Sequence, residues 1–249
     1  MAGHSHWANI QHKKARIDAK RGKAWTKVSR LITQAAKTGG GDPDANASLR
    51  LAMEKARSAN MPKDTIERSI KKGTGELASE AFEEIAYEGY GPGGVAVLCN
   101  ILTDNRNRTA PEIKKIFERA GGNLGTSNCV AWMFTQKGVF VIPADGVAEE
   151  KLMEVALEAG ADDVESSEEI FEVTCSPAAF ADIKSALEAA EIKCDSADLS
   201  MIPNTTVRIA ELDSARKILN LMETLDEHDD VQSVSANFDI PDEIVAQVS

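Results

Sequence analysis

The residues with the strongest chemical signature lie near the start of the chain. Lys13, Lys14, Arg16, Lys20, Arg21, Lys23, Lys27 and Arg30 place eight cations within eighteen residues, against the single anion Asp18. Cations in such number suit a polyanion, because each neutralised phosphate releases condensed counterions and affinity grows with their count. Trp7 and Trp25 flank the cluster, with His6 and His12 beside it, and flat side chains of this kind stack on unpaired bases. Trp25 also falls on an apolar stripe at helical spacing, which makes it a core residue first.

A second set is Thr103-Asp104-Asn105-Arg106-Asn107-Arg108-Thr109. It joins an apolar, strand-like run to a helix start, where free N–H groups favour an anion. Arg106 and Arg108 add planar donors that match phosphate. The alternative is structural, with Asp104 or a nearby Glu pairing with an arginine to hold the turn. A third set, Tyr87-Glu88-Gly89-Tyr90-Gly91-Pro92-Gly93-Gly94, lets backbone approach another surface closely. It lacks the Lys-Ser/Thr of a phosphate loop and reads better as a hairpin turn.

Signals for catalysis are weak. His4 and His6 have no second ligand cluster, and His228 lies in the acidic run Asp226-Glu227-His228-Asp229-Asp230, which reads as a solvated helix end. Cys99, Cys129, Cys175 and Cys194 form no C-x-x-C pair, and three lie in apolar runs, so they are expected as buried free thiols. No nucleophile-elbow or zinc-protease motif occurs. The residues predict no catalytic site, no metal and no cofactor.

The net charge of -12 is unevenly spread. Residues 1–72 hold sixteen Lys and Arg against six Asp and Glu, a balance of +10; the remaining 177 residues hold twelve against thirty-four, a balance of -22. A polyanion-binding end on an acidic body fits this split. Two oppositely charged surfaces that attract each other would give the same totals. No apolar run approaches the ~18 residues of a membrane span, and the N-terminus has no apolar signal core, so a cytoplasmic protein without a membrane partner is expected.

The elements that must position these residues follow from periodicity. Residues 1–22 are polar and basic and read as an arm. Trp25, Val28, Leu31, Ile32 and Ala35 then recur at helical spacing until Gly39-Gly40-Gly41-Asp42-Pro43 stops the helix. A second helix carries Leu49, Met53 and Ala56, and a third, opened by Pro62, carries Ile66 and Ile70 and ends at Lys71-Lys72-Gly73. A strand begins near Ile85, and Val95 to Leu102 is a buried strand. Thr109-Ala110-Pro111-Glu112 reads as a capping box with Thr109 as N-cap, and Cys129 to Phe134 reads as a strand. Residues 138–202 run β-α-β-β-α-β, the ferredoxin-like order, with Ser176-Pro177 opening the second helix. The segment 82–135 (β-β-α-β) and the tail after Pro203 (β-α-β) would each leave a sheet edge bare, so they are expected to pair, with 138–202 inserted between them.

The expected fold class is therefore α+β: an N-terminal three-helix domain plus two α/β sandwich domains, one ferredoxin-like and inserted in the other. The boundaries are 1–80; 81–136 with 204–249; and 137–203.

Several strings are long enough to identify a family. Gly3-His4-Ser5-His6-Trp7-Ala8-Asn9-Ile10, Asp18-Ala19-Lys20-Arg21-Gly22-Lys23, Gly40-Gly41-Asp42-Pro43, Asn60-Met61-Pro62-Lys63-Asp64, the Tyr87–Gly94 and Thr103–Thr109 segments, Gly121-Gly122-Asn123-Leu124-Gly125 and Ser200-Met201-Ile202-Pro203 all resemble the YebC/PmpR family. The likeness spans essentially the full length. Members usually have a basic residue where His6 stands and a glycine where Asn128 stands. The resemblance implies a three-domain α+β protein without known catalytic activity. Bacterial members are described as probable DNA-binding transcriptional regulators; others, mitochondrial ones included, act in translation on the ribosome or messenger RNA. The expected partner is thus nucleic acid, DNA or RNA, with the ribosome as an alternative; the oligomeric state is open. The expected contacts are the eight cations from Lys13 to Arg30 together with Arg106 and Arg108.

Overall fold

The computed structural model describes residues 21–78, 81–167 and 169–248. Contacts between Cα atoms group them into two units: residues up to 129 with 216–234, and residues 130–215 with those from 235 onward.

The first unit opens with three helices, α1 (Arg21–Gly39), α2 (Ala47–Ser58) and α3 (Lys63–Gly73). Ile32, Ala36, Leu49, Ala52, Ala56, Met61 and Ile66 form their buried core, with Trp25, Val28, Leu31 and Ile70 packed against it. The Trp25 indole N–H donates to Ala59 O at 2.9 Å, so its polar tip is used inside the bundle. Gly40, at φ +85°, ends α1. Asn46 then does two jobs. Its Oδ1 accepts from Leu49 N–H at 3.0 Å and caps α2, while its Nδ2 donates to Ala35 O and Gly40 O, which fixes the loop. Gly73 permits the approach of α3 to α1, because a Cβ there would lie 2.4 Å from Thr33 O.

The same unit holds a four-stranded sheet in the order β3-β1-β2-β9, made by β1 (Glu83–Tyr90), β2 (Ala96–Thr103), β3 (Asn123–Leu124) and β9 (Val231–Ala236). The tail thus supplies the strand that covers the bare edge of β2. β1 and β2 are antiparallel, joined across the Gly91–Gly94 turn, where Gly91 N–H donates to Val95 O at 2.8 Å. β2 is buried on both faces at all but Asn100, as its unbroken apolar run requires. Helix α4 (Arg106–Arg119) buries Thr109, Ile113 and Phe117 along one face. A Cβ on Gly122 would lie 2.3 Å from Tyr90 O, so the turn after α4 passes hard against β1.

The second unit contains the ferredoxin-like arrangement: β4 (Phe134–Pro143), α5 (Glu149–Glu158), β5 (Ala161–Ser166), β6 (Ile170–Cys175), α6 (Phe180–Ala189) and β7 (Ser196–Pro203). The strands lie antiparallel in the order β5-β6-β4-β7. Phe140 stacks on Phe180 with ring centroids 4.8 Å apart, which docks α6 on the face carrying Phe140, Val173 and Cys175. Short strands β8 (Val207–Arg208) and β10 (Phe238–Asp239) pair in parallel. The helices α7 (Leu212–Asp226) and α8 (Asp242–Val248) complete the chain order.

Four local expectations are corrected. Helix begins by Arg21, inside the segment read as an arm. Cys129 to Phe134 is no strand: a 3-10 turn occupies Ala131–Met133, and the strand starts at Phe134. Asn128, at φ +64°, turns the chain there in a backbone conformation that favours glycine. Ser176-Pro177 begins a turn whose Ser176 Oγ accepts from Ala179 N–H at 3.3 Å, and the helix starts at Phe180. The N-cap of α4 is Asn105, whose Oδ1 accepts from Arg108 N–H at 3.2 Å; Thr109 lies one turn inside.

Candidate nucleic-acid interface

Thr109 is inside the helix because its hydroxyl is needed elsewhere. Asp230, the residue before β9, is 2% exposed and is gripped from three elements of the first unit. Its Oδ2 accepts from Thr109 Oγ1 at 2.6 Å, from Arg108 NH2 at 2.9 Å and from Thr103 Oγ1 at 3.1 Å. Its Oδ1 accepts from Arg30 NH1 at 2.5 Å. The Asp230 backbone oxygen accepts from Leu102 N–H at 2.8 Å. Burial pushes the Asp230 carboxyl up, but the hydrogen bonds from Thr109, Arg108 and Arg30 outweigh it and hold the group well below the usual carboxylate range.

Around this clasp the other polar groups are paired. Arg108 also meets Asp104 at 2.8 Å. Asp230 N–H donates to His228 Nδ1 at 3.2 Å, which leaves Nε2 to carry the ring proton and donate to Glu112 Oε2 at 3.1 Å. Glu112, the supposed capping-box acid, thus serves His228. Lys27 Nζ reaches the Asp226 carbonyl and lies 3.5 Å from its carboxylate. The open concavity here, of about 630 Å³, carries both signs on its walls, with Arg30, Arg108 and Lys115 facing Asp104, Glu112 and Asp229.

These contacts change the standing of the expected site residues. Lys13, Lys14, Arg16 and Lys20 lie outside the described residues, as do His4 and His6. Arg21 and Lys23 lie on α1, and their side chains are likewise outside the description. Lys27, Arg30 and Arg108 are engaged by carboxylates of the acidic tail, Asp226 and Asp230. The run Asp226–Asp230 is therefore not simply a solvated helix end. Arg106 and Arg108 are both exposed, but among the described residues only Arg108 makes ion pairs, with Asp104 and Asp230.

Cations that the sequence reading passed over are open. Arg50 and Arg57 on α2, Arg68, Lys71 and Lys72 on α3, and Lys115 and Arg119 on α4 are exposed, and among the described residues no ion pair engages them. Their signal was a spacing of three, four or seven on otherwise apolar-periodic helices, which is easily taken for ordinary solvated surface. Reactive chemistry is poorly supplied. Burial pushes the Cys99 thiol up to about 12 and the Cys194 thiol up to about 11. Among the described residues no group of three or more His, Cys, Asp and Glu is placed to hold a metal ion. No described helix is long and apolar enough to cross a membrane.

Fold and site together define a mixed α+β protein whose helical N-terminal part bears exposed surface cations, followed by antiparallel sheets, one of them ferredoxin-like. The TACO1/YebC protein N-terminal domain matches residues 5–76, and the TACO1/YebC second and third domain matches residues 82–238. The chain belongs to the TACO1/YebC family. A probable transcriptional regulatory protein of Syntrophobacter fumaroxidans is 53% identical over the full length of both chains. Another of that description, from Geobacter sulfurreducens, is 55% identical over 98% of each. The crystal structure of a conserved hypothetical protein from Aquifex aeolicus superposes with a TM-score of 0.88 at 48% identity, covering 96% of this chain and 99% of that one.

Proposed function

We propose that this protein is a nucleic-acid-binding regulator of gene expression, which grips phosphates with its basic N-terminal segment and the outer faces of its first helices. The observation that carries this reading is the charge partition, +10 over residues 1–72 against -22 over the rest. It is sharpened by the exposed cations Arg50, Arg57, Arg68, Lys71 and Lys72 of α2 and α3, which no carboxylate engages among the described residues. The direct contacts are Lys13, Lys14, Arg16, Lys20, Arg21 and Lys23, with Arg106 as an outlying one. Lys27, Arg30 and Arg108 act indirectly, by holding the tail in place. No step of covalent chemistry is assigned.

The relatives named as probable transcriptional regulators support DNA as the ligand. A second reading, RNA or the ribosome, is favoured by the link between α1 and α2. Seven residues, Gly40 to Asn46, separate these helices, whereas a DNA-reading helix-turn-helix uses a tight turn to aim a rigid second helix into the groove. A basic terminal segment without such a helix suits irregular RNA.

Salt dependence tests the common part. With about five phosphates neutralised, log K should fall with log salt at a slope of roughly -3.5 to -4.5. Changing Lys13, Lys14 and Lys20 together to alanine should flatten the slope by roughly 2 to 3. A slope near zero, or one indifferent to the triple change, sinks the proposal. Sedimentation of a lysate at moderate salt separates the two ligands. Co-migration with ribosomes that the triple change abolishes selects translation; absence from ribosomal fractions, with discrete promoter footprints that resist heparin, selects transcription.

A further inference from the structure

Among the described residues the most exposed large apolar side chain is Trp132, at 70%, against 49% for Leu157, the next. It belongs to the second unit and sits on the 3-10 turn Ala131–Met133 that precedes β4. The turn is held firmly. Val130 and Phe134, two residues to either side, are buried and anchor it. Met133 N–H donates to Val130 O at 2.9 Å and closes it. Asn204, the residue after β7, ties it down from the neighbouring strand. Its backbone N–H donates to Met133 O at 2.8 Å and its Nδ2 to Trp132 O at 3.4 Å, while its Oδ1 accepts from Thr135 Oγ1 at 2.7 Å. Both flanking apolar side chains are buried, and the largest of the three is left outside on a fixed backbone.

The surface around this turn differs from the rest of its unit. Residues 130–215 carry eighteen Asp and Glu against five Lys and Arg. The stretches 130–137 and 199–210 are brought together by antiparallel pairing, from Phe134 opposite Pro203 to Lys137 opposite Ser200. They hold twenty of those eighty-six residues and none of the eighteen acids. Their exposed polar side chains are Thr135, Gln136, Asn204, Thr205, Thr206 and Arg208. Lys137 is paired with Asp162 at 3.3 Å. An indole among hydroxyls, amides and a guanidinium admits a polyanion that the acidic remainder of the unit repels. A protein interface of ordinary size buries about 800 Å² on each partner around apolar anchors, and one indole ringed by hydrogen-bonding groups does not offer that.

We propose that Trp132 is a stacking platform for an unpaired nucleobase, so that a single-stranded segment of nucleic acid is the ligand of this end of the ferredoxin-like sheet. Stacking rests on the nucleic-acid reading and narrows it. The flat face of an indole accepts any base, which makes the contact tolerant of sequence. A duplex cannot supply it, because its bases are already stacked on one another. An indole carried on a fixed turn loses little freedom when it binds, and Asn204 is the positioning residue that fixes the turn. Arg208, exposed and four residues on from Asn204, is the cation that these stretches offer to a phosphate.

The test measures binding of the full-length protein to labelled oligouridine and to a blunt RNA duplex by fluorescence anisotropy. Trp132→Ala should weaken oligouridine binding roughly 5- to 100-fold and duplex binding less than about 2-fold. The salt slope and the melting midpoint should not move, since no cation and no buried group is lost. Trp132→Phe keeps a ring and should recover most of the loss, and the indole emission that it lacks should be quenched when oligouridine binds the wild type. Asn204→Ala frees the turn and should fall between the two. The same loss on oligothymidine extends the contact to single-stranded DNA; a loss confined to oligouridine assigns it to RNA. A Trp132→Ala variant within about 2-fold of the wild type on oligouridine overturns the stacking and leaves the nucleic-acid reading intact. Equal losses on strand and duplex, or a lowered melting midpoint, make Trp132 a structural residue and overturn it as well. Unchanged RNA binding with loss of a self-association seen by sedimentation makes the indole a protein contact and does the same. If the wild type binds neither RNA, the nucleic-acid reading fails and stacking falls with it.

Discussion

Asp230 in the first unit and Glu172 in the second are both buried carboxylates, 2% and 4% exposed, yet they sit at opposite ends of the range of acid behaviour. Asp230 accepts four side-chain hydrogen bonds from Arg30, Thr103, Arg108 and Thr109. Glu172 has an oxygen with no partner and faces Glu165 across the strand pair. Burial, then the charge of Glu165, pushes its carboxyl up to about 7. Burial penalises both charges. What differs is the number of donors that meet them, so one acid is a structural rivet and the other a point of stored repulsion.

The largest expected effect is the loss of the rivet. Asp230→Ala takes from two arginines and two hydroxyls the buried acceptor they share, and breaking a buried charged network of this kind costs about 3–5 kcal/mol. Thermal unfolding should show a midpoint lower by roughly 6–20 °C; a drop of only a degree or two would mean that the network is redundant. The pH dependence has a definite sign. Because the folded Asp230 is held below its ordinary value of 3.8, its stabilisation is complete above that pH and is lost as pH falls below it.

Glu172 should behave in the reverse sense. Its folded value, about 7, lies above the ordinary 4.5. Between those two pH values the folded chain holds a proton that the unfolded chain releases, so stability falls as pH rises from about 4.5 to about 7, and the penalty persists above. The charged groups that share its sheet face are Glu165, Asp163, Asp198 and Lys137. Glu172→Gln removes the penalty and should raise stability at pH 8 by about 1–3 kcal/mol, with little change at pH 5, as read by denaturant midpoints at the two pH values. An equal effect at both would show that the ionisation of Glu172 is irrelevant.

The smallest effects separate the two arginines of one loop. Arg108→Ala should cost about 1–2 kcal/mol through lost hydrogen bonds to Asp104 and Asp230. Arg106→Ala should leave the melting midpoint unchanged and reduce the salt slope of nucleic-acid binding by about 1. The reverse pattern would exchange their roles.

Most of the architecture could be read in the sequence because it follows from local periods. The stripe from Trp25 to Ala35, the glycine stops and the β-α-β-β-α-β order each need only neighbours a few residues apart. The pairing of one tail strand, β9, with β2 follows from a bare edge, which is a global constraint but a simple one, whereas β8 and β10 of the same tail pair with each other instead. The clasp was not legible. In Asp226-Glu227-His228-Asp229-Asp230 the acids look alike, and only the register of β9 decides that Asp230 turns inward. Thr109 misled for a related reason: it satisfies the local rule for an N-cap, as Asn105 does, and the choice is made by an aspartate 121 residues away. The polar stretch Thr135-Gln136-Lys137-Gly138 hid the start of β4, since pairing with β7 rather than side-chain type makes it a strand. For the candidate interface, the abundance of cations was visible and their pairing was not.

The place of β9 beside β2 has a consequence for how the protein is made. β2 ends at Thr103 and β9 begins at Val231, so a ribosome must add more than a hundred residues after the central strand emerges before its fourth neighbour exists. At 5–20 residues per second this interval lasts roughly 6–25 s. Throughout it the nascent chain carries an apolar strand with one unpaired edge, the sort of surface that templates association between chains. Chains truncated before Val231 would keep that edge for good, which makes the strand Val231–Ala236 a requirement for closing the sheet.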